Sequence, residues 1–193
     1  FLEGLAKVGT TVIVERAQAL LATEAAERHE LLSAALASAS DHEGATGLLA
    51  RAFLEPIATT LAATDARTVP GPSETHCFAC ESPPGVAALR DLPDALGSRS
   101  LVCSLCATEW RFPRLTCAHC GETKADQLLA HTAESVAHVR VDECKSCSQY
   151  MKTVDLRKRG DAVPLVDELA TVELDLWAQE RGLTKMRVNV LGL

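Results

Sequence analysis

Cys77-Phe-Ala-Cys80 is the first of four Cys-x-x-Cys pairs, and the others are Cys103-Ser-Leu-Cys106, Cys117-Ala-His-Cys120 and Cys144-Lys-Ser-Cys147. The pairs contain all eight cysteines of the chain. Each pair places two thiolates on one tight turn, at the separation that a tetrahedral metal ion needs, and two such turns complete a four-thiolate site. The segments between the pairs contain 22, 10 and 23 residues. This long-short-long rhythm is typical of two ribbons in tandem, each built from a knuckle, a hairpin and a second knuckle.

The spacing therefore predicts two metal sites per chain. We expect the first site to use Cys77, Cys80, Cys103 and Cys106, and the second to use Cys117, Cys120, Cys144 and Cys147. Zinc and mononuclear iron both accept four thiolates, so the spacing leaves the metal open. Zinc would make the ribbons structural, because four protein ligands leave no position for substrate. Iron would make them potential one-electron centres.

The residue after each pair decides how the backbone leaves the turn. Gly121 follows Cys120, and a glycine there lets backbone N–H groups turn toward the sulfurs. The other three pairs are followed by Glu81, Ala107 and Ser148. This glycine support is therefore expected at only one turn of the four.

Two other uses of the cysteines are disfavoured. A chain of 193 residues with 47% hydrophobic content can bury a core without a disulfide framework. No βαβ pattern surrounds any pair, which argues against a thioredoxin-like redox centre.

The chain opens at Phe1 without a leader, and no apolar stretch approaches the roughly 20 residues of a membrane span. We expect a fragment or processed product that resides in the reducing cytoplasm.

Composition and periodicity predict an α+β fold. We expect an N-terminal helical domain, followed by two tandem zinc-ribbon four-cysteine modules and a C-terminal helix. The predicted segments are a helical domain at 1–69, a linker at 70–76, a first ribbon at 77–115, a second ribbon at 116–158, and a C-terminal helix and tail at 159–193.

Within these segments the apolar spacing predicts individual helices and strands. Helices are expected at about 2–38, with a break allowed near Gly9, and at 45–65, with Pro56 as a kink or internal start. A further helix is expected from Pro164 to near Gly182. Strands are expected near 101–102, 109–112, 114–115, 128–131, 136–141 and 150–154.

The charge balance gives little support for a nucleic-acid partner. The chain carries a net charge of −7, and the ribbon segment from Cys77 to Lys152 has eight basic and nine acidic residues. Phosphate binding normally needs a basic stripe, and the only basic-aromatic cluster is Arg111 and Arg114 beside Trp110 and Phe112. The six histidines form no metalloprotease motif, and the sequence contains no phosphate-binding glycine loop or nucleophile elbow. These observations favour a non-catalytic protein.

Several longer stretches resemble one known family. The run Leu101-Val-Cys-Ser-Leu-Cys-Ala-Thr-Glu-Trp-Arg111, the run Arg114-Leu-Thr-Cys-Ala-His-Cys-Gly121, and Tyr150-Met-Lys-Thr-Val-Asp155 after the fourth pair resemble the core of the formate dehydrogenase accessory protein FdhE family. Val166-Asp-Glu-Leu-Ala170 and the closing Val188-Asn-Val-Leu191 are similar to the family's C-terminal segments. A Cys-x-x-Cys pair followed by Thr-Glu-Trp is far more specific than the pair alone.

The resemblance implies a cytoplasmic accessory protein that binds the catalytic subunit of a respiratory, molybdenum-containing formate dehydrogenase and is needed for its activation. It also implies that the two four-cysteine modules are rubredoxin-like and that the eight cysteines hold two metal ions, iron or zinc. Thr108, Glu109 and Trp110 match the family signature without an assigned role. Two alternatives stay open, namely a mononuclear-iron electron-transfer protein and a zinc-ribbon protein that binds nucleic acid. Homo-oligomerisation is also left open.

Overall fold

Four helices form the N-terminal part of the protein. The structure, a computed structural model, describes residues 1–37, 44–64 and 74–189. The helices are α1 (Leu2–Val8), α2 (Thr11–Ala22), α3 (Ala25–Ala37) and α4 (Gly44–Thr64). Helix α4 continues through Pro56, whose missing N–H removes a single backbone hydrogen bond of the helix. The predicted linker at 70–76 lies largely outside the described residues, and the segment boundaries stay predictions.

The helix predicted over 2–38 is three helices: the break near Gly9, which the sequence allowed, is present, and the second break, near Thr23, was not predicted. Gly9 has extended backbone angles, and a Cβ at this position would lie 2.8 Å from Cγ2 of Ile13. At the second break the Thr23 hydroxyl donates a hydrogen bond to the Leu20 carbonyl at 2.8 Å. The Arg28 guanidinium also donates to the carbonyls of Leu20 and Thr23. These side-chain donors replace backbone donors at the end of α2, so the helix stops there.

Seven strands form one sheet that contains both ribbons. The strands are β1 (Pro84–Leu92), β2 (Ala95–Cys103), β3 (Glu109–Arg111), β4 (Leu128–Thr132), β5 (Val139–Cys144), β6 (Gln149–Asp155) and β7 (Thr184–Lys185). Their order is β3-β2-β1-β6-β5-β4, and β7 pairs with β6. Each ribbon therefore runs knuckle, strand, strand, knuckle, strand, as the cysteine spacing predicts.

A parallel strand pair joins the two ribbons. Ala87 of β1 lies opposite Thr153 of β6, and the next two pairs are Ala88 with Val154 and Leu89 with Asp155. The residues from Val86 to Leu89 are completely buried. Strand β1 consequently lies in the middle of the sheet, with apolar packing on both of its faces.

The two faces of the sheet carry different cores. One core contains Leu101, Met151 and the first cysteine group, and Ala58 and Ala62 of α4 pack against it. The other core contains Val102, Tyr150 and Val154 and lies beneath the C-terminal helices. Alternate residues of the same strands thus face the two cores, as the two-residue period of a strand requires.

The predicted C-terminal helix is two helices, α5 (Pro164–Ala170) and α6 (Val172–Glu180). The break at Thr171 has a cause outside the local sequence, since the buried ammonium of Lys152 donates hydrogen bonds to the carbonyls of Glu168 and Thr171. These bonds take up acceptors that a continuous helix would give to its own backbone N–H groups. The predicted end near Gly182 is close to the observed one, and Gly182 has a φ of 75°.

Two lysines and two carboxylates form an ion network beneath these helices. Lys152 Nζ lies 2.6 Å from Asp175 Oδ2, and Lys185 Nζ lies 2.8 Å from Asp175 Oδ1. Glu168 pairs with both lysines. The Tyr150 hydroxyl donates a hydrogen bond to Asp175 at 2.9 Å, and burial raises the pKa of Tyr150. The network ties α5 and α6 to strands β6 and β7.

The strand predictions have mixed outcomes. The structure contains strands at five of the six predicted places, although β5 begins at Val139 because residues 134–136 form a 3-10 turn. Residues 114–115 form a turn, so that prediction is wrong. Strand β1 was not predicted.

Candidate metal centres

The first cysteine group joins the two ends of the β1–β2 hairpin. Cys77 and Cys80 lie on the turn before β1, and Cys103 and Cys106 lie at the end of β2. The Sγ atoms of Cys77 and Cys106 are 3.5 Å apart, and those of Cys80 and Cys103 are 3.4 Å apart. Cys80 is partly exposed, and the other three cysteines are buried.

The second group joins the ends of the β4–β5 hairpin in the same way. Cys117 and Cys120 lie before β4, and Cys144 and Cys147 lie at the end of β5. The Sγ separations are 3.8 Å between Cys117 and Cys147 and 3.7 Å between Cys120 and Cys144. Cys120 is exposed and Cys147 is partly exposed, so this group lies nearer the surface than the first.

Both groups fit a tetrahedral metal ion. A metal–sulfur distance of about 2.3 Å corresponds to sulfur–sulfur separations of about 3.8 Å in a tetrahedron. Within each group all four Sγ atoms lie within 4.8 Å of one another. These are the two sets of four that the spacing predicts, and they are the only such His, Cys, Asp or Glu groups in the described parts of the chain. That these sulfurs ligate a metal stays a prediction.

All four knuckles share one backbone feature that the sequence shows at only one of them. The residue after each pair has a left-handed conformation, with φ values of 62° at Glu81, 58° at Ala107, 75° at Gly121 and 56° at Ser148. The turn therefore forms at all four knuckles, although a glycine supports it at only one of them. The knuckle imposes the conformation even where a side chain makes it unfavourable.

Backbone N–H groups within three of the knuckles point at sulfur. The N–H groups of Ala79, Leu105 and His119 lie 3.4 Å from the Sγ atoms of Cys77, Cys103 and Cys117, respectively. Hydrogen bonds of this kind stabilise thiolates and orient them toward a metal. They occur in both groups and are compatible with zinc or iron.

The Thr-Glu-Trp signature, Thr108 to Trp110, follows the second knuckle, and Thr108 contacts two cysteines of the first group. The Thr108 hydroxyl lies 3.1 Å from Cys106 Sγ, and the Thr108 carbonyl accepts the N–H of Cys103. Glu109 accepts hydrogen bonds from Ser100 and Arg90. Trp110 is buried and donates its indole N–H to the carbonyl of Glu74 at 2.8 Å. The sequence marked these residues as a signature, and the structure shows their contacts.

The close packing of the thiols creates an electrostatic demand for a cation. The thiol of Cys106, followed by those of Cys77 and Cys80, raises the pKa of Cys103. Contact with Cys103 lowers the pKa of Cys106 to about 6. When the pKa values of neighbouring thiols shift apart in this way, one thiol ionises first and its negative charge opposes ionisation of the others. A bound cation would remove that opposition, so the donor set suits a metal ion.

Other polar residues that the sequence raised serve local contacts. Trp110 and Phe112 are buried, and Arg111 pairs with Asp94 at 2.8 Å, so the basic-aromatic cluster does not present stacked rings to a nucleic-acid strand. Two of the three histidines of the second ribbon pair with carboxylates, His131 with Glu143 and His138 with Asp167, both at 2.7 Å. In the described part of the chain, no helix combines the length and apolarity that crossing a bilayer requires.

Family models match most of the sheet-forming part of the chain. Residues 76–114 match the model described as "FdhE, central domain", and residues 115–191 match "FdhE, C-terminal domain". These ranges include all eight cysteines.

Individual relatives extend the similarity into the N-terminal helices. The chain is 34% identical to a "Protein FdhE homolog" of Aquifex aeolicus over 184 residues, which cover 95% of this chain and 65% of that protein. It is 38% identical to the homolog of Pseudomonas aeruginosa over 123 residues, which cover 62% of this chain and 40% of that protein. The crystal structure of the FdhE protein from Pseudomonas aeruginosa superposes with a TM-score of 0.84 and 29% identity, covering 98% of this chain and 67% of the other. The chain thus spans about two thirds of the Aquifex relative.

Proposed function

Since the chain belongs to the FdhE family, we propose that it is an accessory protein that binds the catalytic subunit of a respiratory, molybdenum-containing formate dehydrogenase and helps to activate it. The observation that carries this proposal is the pair of four-cysteine groups on one continuous sheet within the segments that match the family models. The proposed location is the reducing cytoplasm, in keeping with eight cysteines that form no disulfide in the structure.

The proposal assigns the eight cysteines as ligands of two metal ions, zinc or iron. With zinc, each site would fasten the two ends of a hairpin and stabilise the ribbon. With iron, each site would also supply a one-electron centre. In both cases the residues of the chain keep the same task, which is to hold four sulfurs at tetrahedral spacing and to donate N–H groups to them.

The N-terminal helices offer apolar surface for the partner. Val12 of α2 is 64% exposed, and Ile57 and Leu61 of α4 are 44% and 64% exposed. Exposed apolar residues of this kind are common at surfaces that bind other proteins. The ribbons would then present a rigid second surface beside the helices.

Co-purification and complementation test this function together. A tagged chain should retain the formate dehydrogenase catalytic subunit when both are expressed in one cell, and the Cys103→Ser and Cys144→Ser variants should retain less. In a strain that lacks its own family member, the wild-type chain should restore formate-dependent dye reduction. Normal formate dehydrogenase activity in the uncomplemented deletion strain, or no retention of the subunit, would count decisively against the proposal.

A second candidate function is electron transfer through mononuclear iron. It is favoured by the exposure of Cys120, which brings the second group close to the surface where a redox partner can approach. Protein purified without oxygen from cells supplied with iron and zinc should then contain iron and show a visible band that bleaches reversibly on reduction. A colourless protein with two zinc ions and full activity in the complementation assay would end this candidate.

A further inference from the structure

A buried arginine lies against each cysteine group. Arg51 of α4 donates from Nη2 to the carbonyl of Ser104, inside the second knuckle, at 2.5 Å. Arg99 of β2 donates from Nη1 to the carbonyl of Thr116, immediately before Cys117, at 2.9 Å. Arg51 is 9% exposed and Arg99 is 5% exposed. Each guanidinium is therefore fixed to the backbone of a cysteine knuckle and shielded from water.

Neither arginine has a carboxylate in contact. Among the ion pairs of the described residues none involves Arg51 or Arg99, and the Nε atom of each is buried without a hydrogen-bond partner in the same part of the structure. The carboxylates of Glu55 and Glu168 act on Arg51 only at longer range. Asp142 acts on Arg99 at longer range and is itself held by Arg140 and Thr153. A buried cation with no carboxylate in contact is costly, so a further negative charge close to it would stabilise it.

The cysteine groups add negative charge beside the same two guanidiniums, because each guanidinium is bonded to a carbonyl within a knuckle or immediately before one. Four thiolates around a divalent ion leave a net charge of about −2. Burial lowers the pKa of Arg51 and of Arg99. The charges of Glu55, Glu168 and then Cys103 act in the opposite direction on Arg51, and those of Asp142 and then Cys117 do so on Arg99. The two arginines thus respond to different groups.

The first group has a second cation nearby. Arg187 is 7% exposed, and burial, followed by the charge of Arg51, lowers its pKa to about 10. Cys103 again acts in the opposite direction.

We propose that Arg51 and Arg99 are the counter-charges of the first and second metal sites, respectively. Each supplies a fixed positive charge to a loaded four-thiolate site, so metal binding and burial of the guanidinium stabilise each other. Because Arg51 belongs to α4, metal in the first site also strengthens the attachment of that helix to the sheet. This inference rests on the two metal sites of the proposed function.

Reciprocal charge variants test the proposal on full-length protein. Cys144→Ser leaves only the first site complete, and Cys103→Ser leaves only the second, so the zinc affinity of each site can be measured alone by competition with a colorimetric chelator. Arg51→Gln should lower the zinc affinity of the first site by about 10- to 100-fold and change that of the second by less than about twofold, and Arg99→Gln should do the reverse. Arg51→Lys and Arg99→Lys keep the charge and should keep most of the affinity.

The outcomes separate charge from packing and from failure of the sites themselves. Equal losses for the glutamine and lysine variants, or equal losses at both sites, would overturn the counter-charge role. A variant that folds only with excess zinc, as seen by circular dichroism, supports it; if Arg51→Gln does not fold at all, the Arg99 pair decides. Wild-type protein that binds fewer than two zinc ions would instead contradict the metal sites of the proposed function.

Discussion

At the scale of single residues, the turns after the cysteine pairs show the knuckle geometry overriding local preference. Ala107 and Gly121 occupy equivalent positions with φ values of 58° and 75°. For a residue with a Cβ this conformation costs roughly 1–2 kcal/mol relative to glycine. The family resemblance rests on the cysteines around these turns, and the residue that follows each pair is free to differ because the knuckle as a whole maintains the turn.

Exchange of these two residues should shift stability in opposite directions. Ala107→Gly should raise the free energy of unfolding by about 1 kcal/mol, because it relieves the left-handed strain, less the added entropy of the unfolded chain. Gly121→Ala should lower it by a similar amount, although a Cβ there would meet no atom within 4 Å. Denaturant titrations of the zinc-loaded variants give both values. The same sign for both substitutions would contradict the strain argument.

Thr108 offers a second test at this scale. Thr108→Val removes the hydroxyl that lies 3.1 Å from Cys106 Sγ while keeping the branched shape. Loss of this hydrogen bond should lower zinc affinity at the first site by about 10-fold, in the range usual for residues that support metal ligands. Thr108→Ser keeps the hydroxyl and is the matched control. An unchanged affinity in chelator competition would show that the hydroxyl serves only the local fold.

At the scale of helices and strands, the buried ion network controls how the C-terminal helices attach. Asp175→Ala should lower the free energy of unfolding by about 3–5 kcal/mol, because Lys152 and Lys185 would both lose a buried partner. Glu173→Ala, on the exposed side of the same helix, is the control and should change stability little. Thermal or denaturant unfolding measures the difference. Equal effects of the two substitutions would mean that the ion network itself does not stabilise the folded protein.

Local sequence reveals some of these elements better than others. The cysteine spacing was sufficient to group the eight residues correctly, because a ribbon brings its own two knuckles together. Strand β1 was missed because Val86–Leu89 is buried on both faces and therefore lacks the apolar-polar alternation of a half-exposed strand. The break at Thr171 depends on Lys152, which is distant in sequence. Arg51 reaches the first cysteine group from a helix that carries no metal-binding motif.

At the scale of the whole molecule, the two sites differ in exposure although they share one architecture. The first lies in the core beneath α4, whereas Cys120 of the second is exposed. A chelator should therefore remove zinc in two phases, with the second site emptying faster. Absorbance of the chelator complex follows the release. The fast phase should disappear in Cys144→Ser and the slow phase in Cys103→Ser; the opposite assignment would refute the argument from exposure.

Because β1 pairs with β6, strand β1 is synthesised before the strand that covers its edge. The first ribbon is translated before residues 153–155, which pair with Ala87–Leu89. During that interval β1 is an open sheet edge made of apolar residues, the kind of surface on which nascent chains aggregate. Strand β6 of the second ribbon thus covers this edge of the first ribbon once it pairs with β1. A gene truncated after Arg114 would encode a ribbon with its cysteines complete and its most apolar edge permanently bare.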